Sequence, residues 1–234
     1  MPSKIPCFLC GALILPDTAK RTDGKCMPCF NDRHGIHAAA LLGERTPPEE
    51  LLERLDRVFR ETVLHVARHA ASVFEGEGIY GCWIFHTQLL SGGLCLFTEA
   101  GLDQVAESYR ERGRSATRTD LRWNPCDSPH QLCFSEEFAE ADKLFLALDR
   151  YRRPQAIDAE IERIFLRALQ DLRREEVFST GVVLTLAEGD QSDVERYAYA
   201  EPFCNATTLQ RFRAELLPFE EDSLELYRRR IPSC

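Results

Sequence analysis

Four cysteines open the chain in two Cys-x-x-Cys pairs, Cys7 with Cys10 and Cys26 with Cys29, fifteen residues apart. Thiolate sulfur is the soft ligand that tetrahedral zinc prefers, and a Cys-x-x-Cys turn presents two of them from one tight loop. Gly11 follows the first pair and Gly24 precedes the second, where the backbone must turn sharply. Four protein ligands leave no position for water, so the spacing predicts a structural zinc with no chemistry at the metal. The spacer "ALILPDTAKRTDGK" reads as a short strand, a Pro-Asp turn and a return, which is a zinc-ribbon hairpin. A segment this small has almost no core, so metal binding and folding should be one event. A redox dithiol pair is the weaker reading, because no βαβ pattern surrounds either pair. His34 and His37 are spare ligands that a full set of cysteines does not need.

A second concentration of reactive side chains lies in "CDSPHQLC", with Cys126, Asp127, His130 and Cys133 inside eight residues. These types fit a second metal site, or a Cys126–His130 nucleophile and base. The plainer reading is a loop packed beneath Trp123, with Asp127 capping a turn and the cysteines half-buried. His65 and His69 stand one helical turn apart, a metal-ligand spacing, but without a third ligand nearby they read as solvated or packing histidines. Cys82 and Cys95 fall on neighbouring expected strands, placed to face one another as buried thiols, and Trp83, Phe85 and Phe97 read as core. No nucleophile elbow, phosphate loop, dinucleotide fingerprint or His-Glu-x-x-His motif is present, so the chain is expected not to be an enzyme.

The elements that must position these residues follow from pattern. "TPPEELLERLDRVFRETVLHVARHAASVF" is an amphipathic helix with Thr46 as N-cap and Glu49 completing a capping box. "IYGCWIFHT" and "GLCLFTE" are strands joined through Ser91-Gly92-Gly93, and "GLDQVAESYRERG" is a helix ending at Gly113. A loop-rich stretch follows, with a short strand at Leu121 to Trp123, then two helices separated at Pro154. "GVVLTLAEGD" and "VERYAYAEP" read as a second hairpin, "NATTLQRFRAELLPF" as a helix, and "LYRRRIPSC" as a solvated basic tail. Helix–strand–strand–helix would then occur twice, with "LDRVFRETVLHV" aligned on "IERIFLRALQDL" and Leu102 and Val105 matched by Leu209 and Phe212, which suggests a duplication. The expected class is α+β, an antiparallel or mixed sheet with helices packed on it. The expected division is a zinc ribbon at 1–35, a linker with a short helix at 36–48, and the α+β domain at 49–234.

Composition narrows the partners. The chain has 234 residues, 44% of them hydrophobic, and a formal charge of −9. Residues 1–34 hold five basic and three acidic side chains, and the remainder holds 24 basic and 35 acidic, a balance of −11. An acidic body repels nucleic acid and attracts a basic partner. No apolar run reaches the roughly 18 residues a bilayer span needs, and the opening, broken by Pro6, Cys7, Cys10 and Pro16, lacks the pattern of a signal peptide. A cytoplasmic location is expected, with the ten cysteines as thiols or metal ligands.

Two short motifs carry a resemblance. Thr98-Glu99-x-Gly101-Leu102, and Arg122-Trp123-x-Pro125-x-Asp127 further on, resemble the bacterial family filed as domain of unknown function 4303, over roughly residues 50–150. A second aromatic usually follows the Asp in that family, whereas Ser128 stands here. Separately, Thr18, Ala19, Arg21, Thr22, Gly24, Cys26, Pro28 and Cys29 are similar to zinc-ribbon caps that precede small bacterial domains, some suspected of immunity roles in toxin systems. The resemblance implies a protein that binds and neutralises a partner; together with the −11 balance and the absent catalytic motifs, the expected partner is a basic toxin domain, neutralised by occlusion. Arg122, Trp123, Asp127 and His130 are the expected partner or pocket residues. The alternative is a nucleic-acid-associated or regulatory protein that reads through the ribbon, for which Lys20, Arg21, Lys25 and Arg33 supply charge.

Overall fold

The computed structural model describes residues 4–7, 13–22, 25, 39, 42–43, 46–87, 90–149, 155–188 and 191–231. At the N-terminus β1 (Ile5–Pro6) pairs antiparallel with β2 (Leu13–Ile14), so the first cysteine pair falls in the connection between them. Cys7 is buried at 2% exposure; Cys10, Cys26, Cys29, His34 and His37 lie outside the described residues. The spacer differs from expectation. Pro16–Arg21 forms a helix, α1, where a turn and a returning strand were expected, with Pro16 at its first position and Leu15 as an extended N-cap. Proline's fixed φ starts a helix as readily as it starts a turn. Ala39, Leu42 and Gly43 are helical.

Helix α2 (Pro48–Val73) buries Leu51, Leu55, Phe59, Val63, Val66, Ala67 and Ala70 along one stripe. Its start is one residue later than the capping box requires: Pro47 is the N-cap and offers no side-chain bond, so Thr46 and Glu49 are out of register for reciprocal capping. A 3-10 turn at Glu75–Glu77 leads into β3 (Ile79–Thr87), which pairs antiparallel with β4 (Leu90–Thr98). Then come α3 (Glu99–Glu111), a short α4 (Arg118–Arg122), β5 (His130–Cys133), α5 (Ala139–Asp149), α6 (Gln155–Arg174) and β6 (Val183–Glu188). Helices α7 (Asp193–Ala200), α8 (Ala206–Glu215) and α9 (Glu221–Arg228) close the described chain. The protein is α+β.

The main sheet has the order β5-β4-β3-β6, with β6 joining β3 in parallel and the other pairs antiparallel. Strand alternation splits its side chains between two cores. Cys82, Ile84, Leu94, Leu96, Leu184 and Leu186 face a layer made by α2, α5 and α6. Trp83, Phe85, Cys95, Phe97 and Val183 face the opposite layer, which includes Leu102 of α3, Leu121 of α4 and Phe212 of α8. Cys82 and Cys95 are both buried, but on opposite faces, because Cys82 registers with Leu96 and Trp83 with Cys95.

Three expectations for the second half are corrected. Residues 193–200 form helix α7 and not the second strand of a hairpin; it buries Val194 and Ala198, four apart, and Ala200 at its end. Leu121 to Trp123 is no strand, because Thr117 and Asp120 form a reciprocal capping box that starts α4. With a single strand between α6 and α7, the helix–strand–strand–helix order does not recur, and the aligned helices α2 and α6 are neighbours on one face. The basic tail is also less free than expected, since Arg228 pairs with Glu201, Glu221 and Glu225.

Candidate functional site

The two motifs, more than twenty residues apart in sequence, meet on one side of the sheet. Thr98 ends β4 and caps α3 by accepting from the Gly101 N–H at 2.9 Å. A Cβ on Gly101 would stand 2.8 Å from the Thr98 hydroxyl oxygen and 2.9 Å from Pro129, so a larger residue would displace the cap. Glu99 is the first residue of α3, where the helix dipole favours a carboxylate. It receives Arg122 in a fork, Nη2 to Oε1 at 2.6 Å and Nη1 to Oε2 at 3.1 Å.

Arg122 reaches further. Its Nε donates to Glu215 at the end of α8 at 3.0 Å, and the Trp123 indole N–H donates to the same oxygen at 2.9 Å. The guanidinium lies 4.0 Å above the Tyr80 ring, while the Tyr80 hydroxyl donates to the Arg122 carbonyl at 2.8 Å. Arg118 adds a bond to Glu99 at 2.7 Å and an ion pair with Asp103. The Arg122 side chain is only 15% exposed. Burial works against its charge, but the hydrogen bonds to Glu99 and the charge of Glu215 outweigh it and strengthen its protonation. Glu99 is held below the usual carboxylate range, chiefly by its hydrogen bonds to Arg122. Burial pushes the Tyr80 phenol up.

Trp123 packs into the adjoining core, parallel to Trp83 at 5.7 Å and edge-on to Phe212 at 4.7 Å. That stack depends on Gly81, where a Cβ would come within 2.7 Å of the Trp123 ring.

Beside this network a Glu77 oxygen bridges two groups, accepting from the Thr98 hydroxyl at 2.9 Å and meeting His130 Nε2 at 2.8 Å. The His130 ring also rests 4.1 Å from Phe74. Asp127 accepts from the Tyr109 hydroxyl at 2.9 Å and from the Asn124 amide at 2.6 Å. Asn124, and not Asp127 as expected, caps the local turn, through the Cys126 N–H at 3.1 Å. Between the clusters, Tyr80, Phe97, Leu102, Leu121 and Asp127 line a cavity of ≈ 10 Å³ for the centre of a water molecule, room for about one water.

The four expected residues are therefore neighbours in structure, but in different roles. Arg122 and Trp123 tie α4 to α3 and α8, His130 ties β5 to the turn before β3, and Asp127 fastens its own loop to α3. The Cys126–His130 dyad does not form: the Cys126 thiol is exposed and His130 is engaged by Glu77. Among the described residues no three His, Cys, Asp or Glu side chains gather as metal ligands. His65 is exposed, and His69 lies against Phe134 at 4.6 Å. Cys133 is half-buried, and desolvation raises its thiol to about 12.

Sequence reasoning missed Tyr80, Glu77 and Glu215. Each is an ordinary residue in its local pattern, and only the fold brings it to the motifs. No helix among the described residues is long and apolar enough to cross a membrane.

No curated protein and no solved structure matches the chain. The model of a domain of unknown function, DUF4303, matches residues 60–199, a stretch that runs from α2 into α7 and contains both motifs and all four strands of the main sheet. With more than half of its length matched, the chain belongs to the DUF4303 family.

Proposed function

We propose that this chain is a protein-binding protein, an immunity partner that neutralises a basic toxin domain by occluding it. The supporting observation is the state of the motif side chains. Arg122 is bound to Glu99 and Glu215, His130 to Glu77, and Asp127 to Tyr109 and Asn124, so these side chains set the shape of one face and leave the surface to meet a partner. That surface is acidic. Glu49, Glu50, Glu53 and Glu61 are exposed along α2 without an intramolecular ion pair among the described residues, within a body whose balance is −11. Such a field steers a cationic partner and accelerates its encounter.

In this reading the cap is a structural zinc knot held by Cys7, Cys10, Cys26 and Cys29. The burial of Cys7 at the end of β1 fits a ligand directed inward, and four thiolates leave the metal no reactive position.

The test is co-expression with a basic toxin domain, should one be encoded next to its gene. Growth should be rescued and a complex should co-purify. Replacing Glu49, Glu50 and Glu53 together by Lys should slow association by roughly tenfold or more at low salt. A protein that neither rescues growth nor forms a complex would sink the proposal.

A further inference from the structure

The cavity between the two motifs is apolar on most sides and polar on one. Tyr80, Phe97, Leu102, Val105 and Leu121 supply the apolar walls, and Thr98, Asp127, Ser128 and Pro129 complete the lining. Pro129 is exposed and Asp127 half-buried, so the cavity opens to solvent on their side. The donors among these residues are spent. The Thr98 hydroxyl donates to Glu77 at 2.9 Å, the Ser128 hydroxyl to the Leu96 carbonyl at 2.6 Å and the Tyr80 hydroxyl to the Arg122 carbonyl at 2.8 Å. The Asp127 and Ser128 N–H groups donate to the carbonyls of Asn124 and Pro125, and a proline has no N–H to offer.

The acceptors are not spent. Asp127 takes one hydrogen bond on each oxygen, from Tyr109 and from Asn124, whereas a carboxylate accepts about four. Among the described residues no Lys or Arg pairs with it. Two cations stand close by, and both are engaged. Arg122 lies over the Tyr80 ring with Glu99 and Glu215 as its partners, and Arg114 lies over the Tyr109 ring. An apolar cavity with an unpaired carboxylate at its mouth and these donors spent selects a group that only donates. Its ≈ 10 Å³ for the centre of a water molecule admits about one such group. An ammonium has that size and carries three donors and no acceptor, while the planar guanidinium fork is too wide. We propose that this cavity receives the ammonium head of a lysine side chain, with its methylene stem against Pro129 and the apolar wall. That the lysine belongs to a toxin domain rests on the function proposed above; the preference for an alkylammonium does not.

Titration of the full chain with n-butylammonium, the lysine side chain on its own, tests this. The methyl NMR signals of Leu102, Val105 and Leu121 should shift saturably, with a Kd in the millimolar range expected of so small a ligand. n-Butanol and n-butylguanidinium should bind at least ~10-fold more weakly, and Asp127→Asn should weaken n-butylammonium by a similar factor. Asp127 also fastens its loop to α3, so a second variant leaves it in place: Val105→Phe fills the cavity and should abolish the shifts. Both variants should keep the native circular dichroism.

No saturable shift, equal binding of n-butanol, or wild-type affinity in either variant would overturn the proposal. The two readings fail separately. A toxin complex without n-butylammonium binding would remove the lysine site and spare the immunity function, whereas n-butylammonium binding without rescue or complex would do the reverse.

Discussion

Glu162 sits on α6 where the sheet ends, accepting a hydrogen bond from the Tyr199 hydroxyl of α7. Its carboxyl is held above the usual range mainly by burial; the Tyr199 bond and Arg163 oppose this, while Glu188 and Glu195 add to it. Glu195 is raised as well, again mainly by burial. A carboxyl raised by folding binds its proton more tightly in the native state. Its contribution to stability is complete below the unfolded value of about 4.3 and is lost as pH rises through the higher native value. Glu162→Gln removes that dependence. In urea titrations across a pH series the variant should gain on the wild type steadily from acid to neutral pH; a constant difference would refute the assignment. This group illustrates what pattern reading cannot reach. Glu162 looks like any polar position on an amphipathic helix, and its neighbours come from a strand and a helix that meet it only after folding. Arg122 and Trp123 were legible as motif residues, but Glu215, which binds both, lies 93 and 92 positions away.

Between elements, the α2–α6 pair combines apolar packing with an ionic seam. Phe59 meets Phe165 at 4.7 Å, and beside them Arg60 donates to Asp171 at 2.6 Å while Asp56 accepts from Arg167 at 3.0 Å. The Asp171 side chain is only 8% exposed, so its carboxylate depends on Arg60 and Arg174 for partners. Asp171→Ala should cost about 1–2 kcal/mol, below the range for a fully buried pair because Arg60 keeps contact with water. Glu175→Ala, which removes the exposed partner of Arg68, should cost no more than about 0.5 kcal/mol. Equal shifts in the two urea midpoints would show that burial does not set the value of the seam. The long helices and the β3–β4 pair were legible because each repeats its period over many residues. Residues 193–200 were not, because Tyr197, Ala198, Tyr199 and Ala200 alternate in size like a strand. The helix is decided by Val194 and Ala198 facing inward together and by the covering of β6. The same limit hid α4, whose five residues are too few for a period and whose only local signal is the Thr117–Asp120 box.

At the scale of the molecule, the proposed zinc knot would give the N-terminal segment a source of stability different from that of the main domain. Of the described residues before Thr46, only Ala39 enters the main core fully, with Leu42 packed at its edge. Removing zinc with a strong chelator, or replacing Cys10 by Ser, should therefore abolish amide protection around β1, β2 and α1. The melting of the main domain should move by no more than a few degrees, the scale of about 1 kcal/mol for a chain of this size. Metal analysis of the untreated protein should give one zinc per chain. Absence of zinc, or collapse of the main transition with the cap, would break this picture.

The parallel β3–β6 pair has a consequence for synthesis. Gly81 registers with Val183, so a central strand waits for a partner made roughly a hundred residues later, a distant pairing of the kind that slows folding. At typical elongation rates that interval is about 5–20 s. Throughout it the nascent chain carries Tyr80, Trp83 and Phe85 on a strand with one unmatched edge, a natural target for chaperones and a template for wrong pairing. Ribosome-stalled chains ending before β6 should recruit such helpers, and chains extended past α7 should release them.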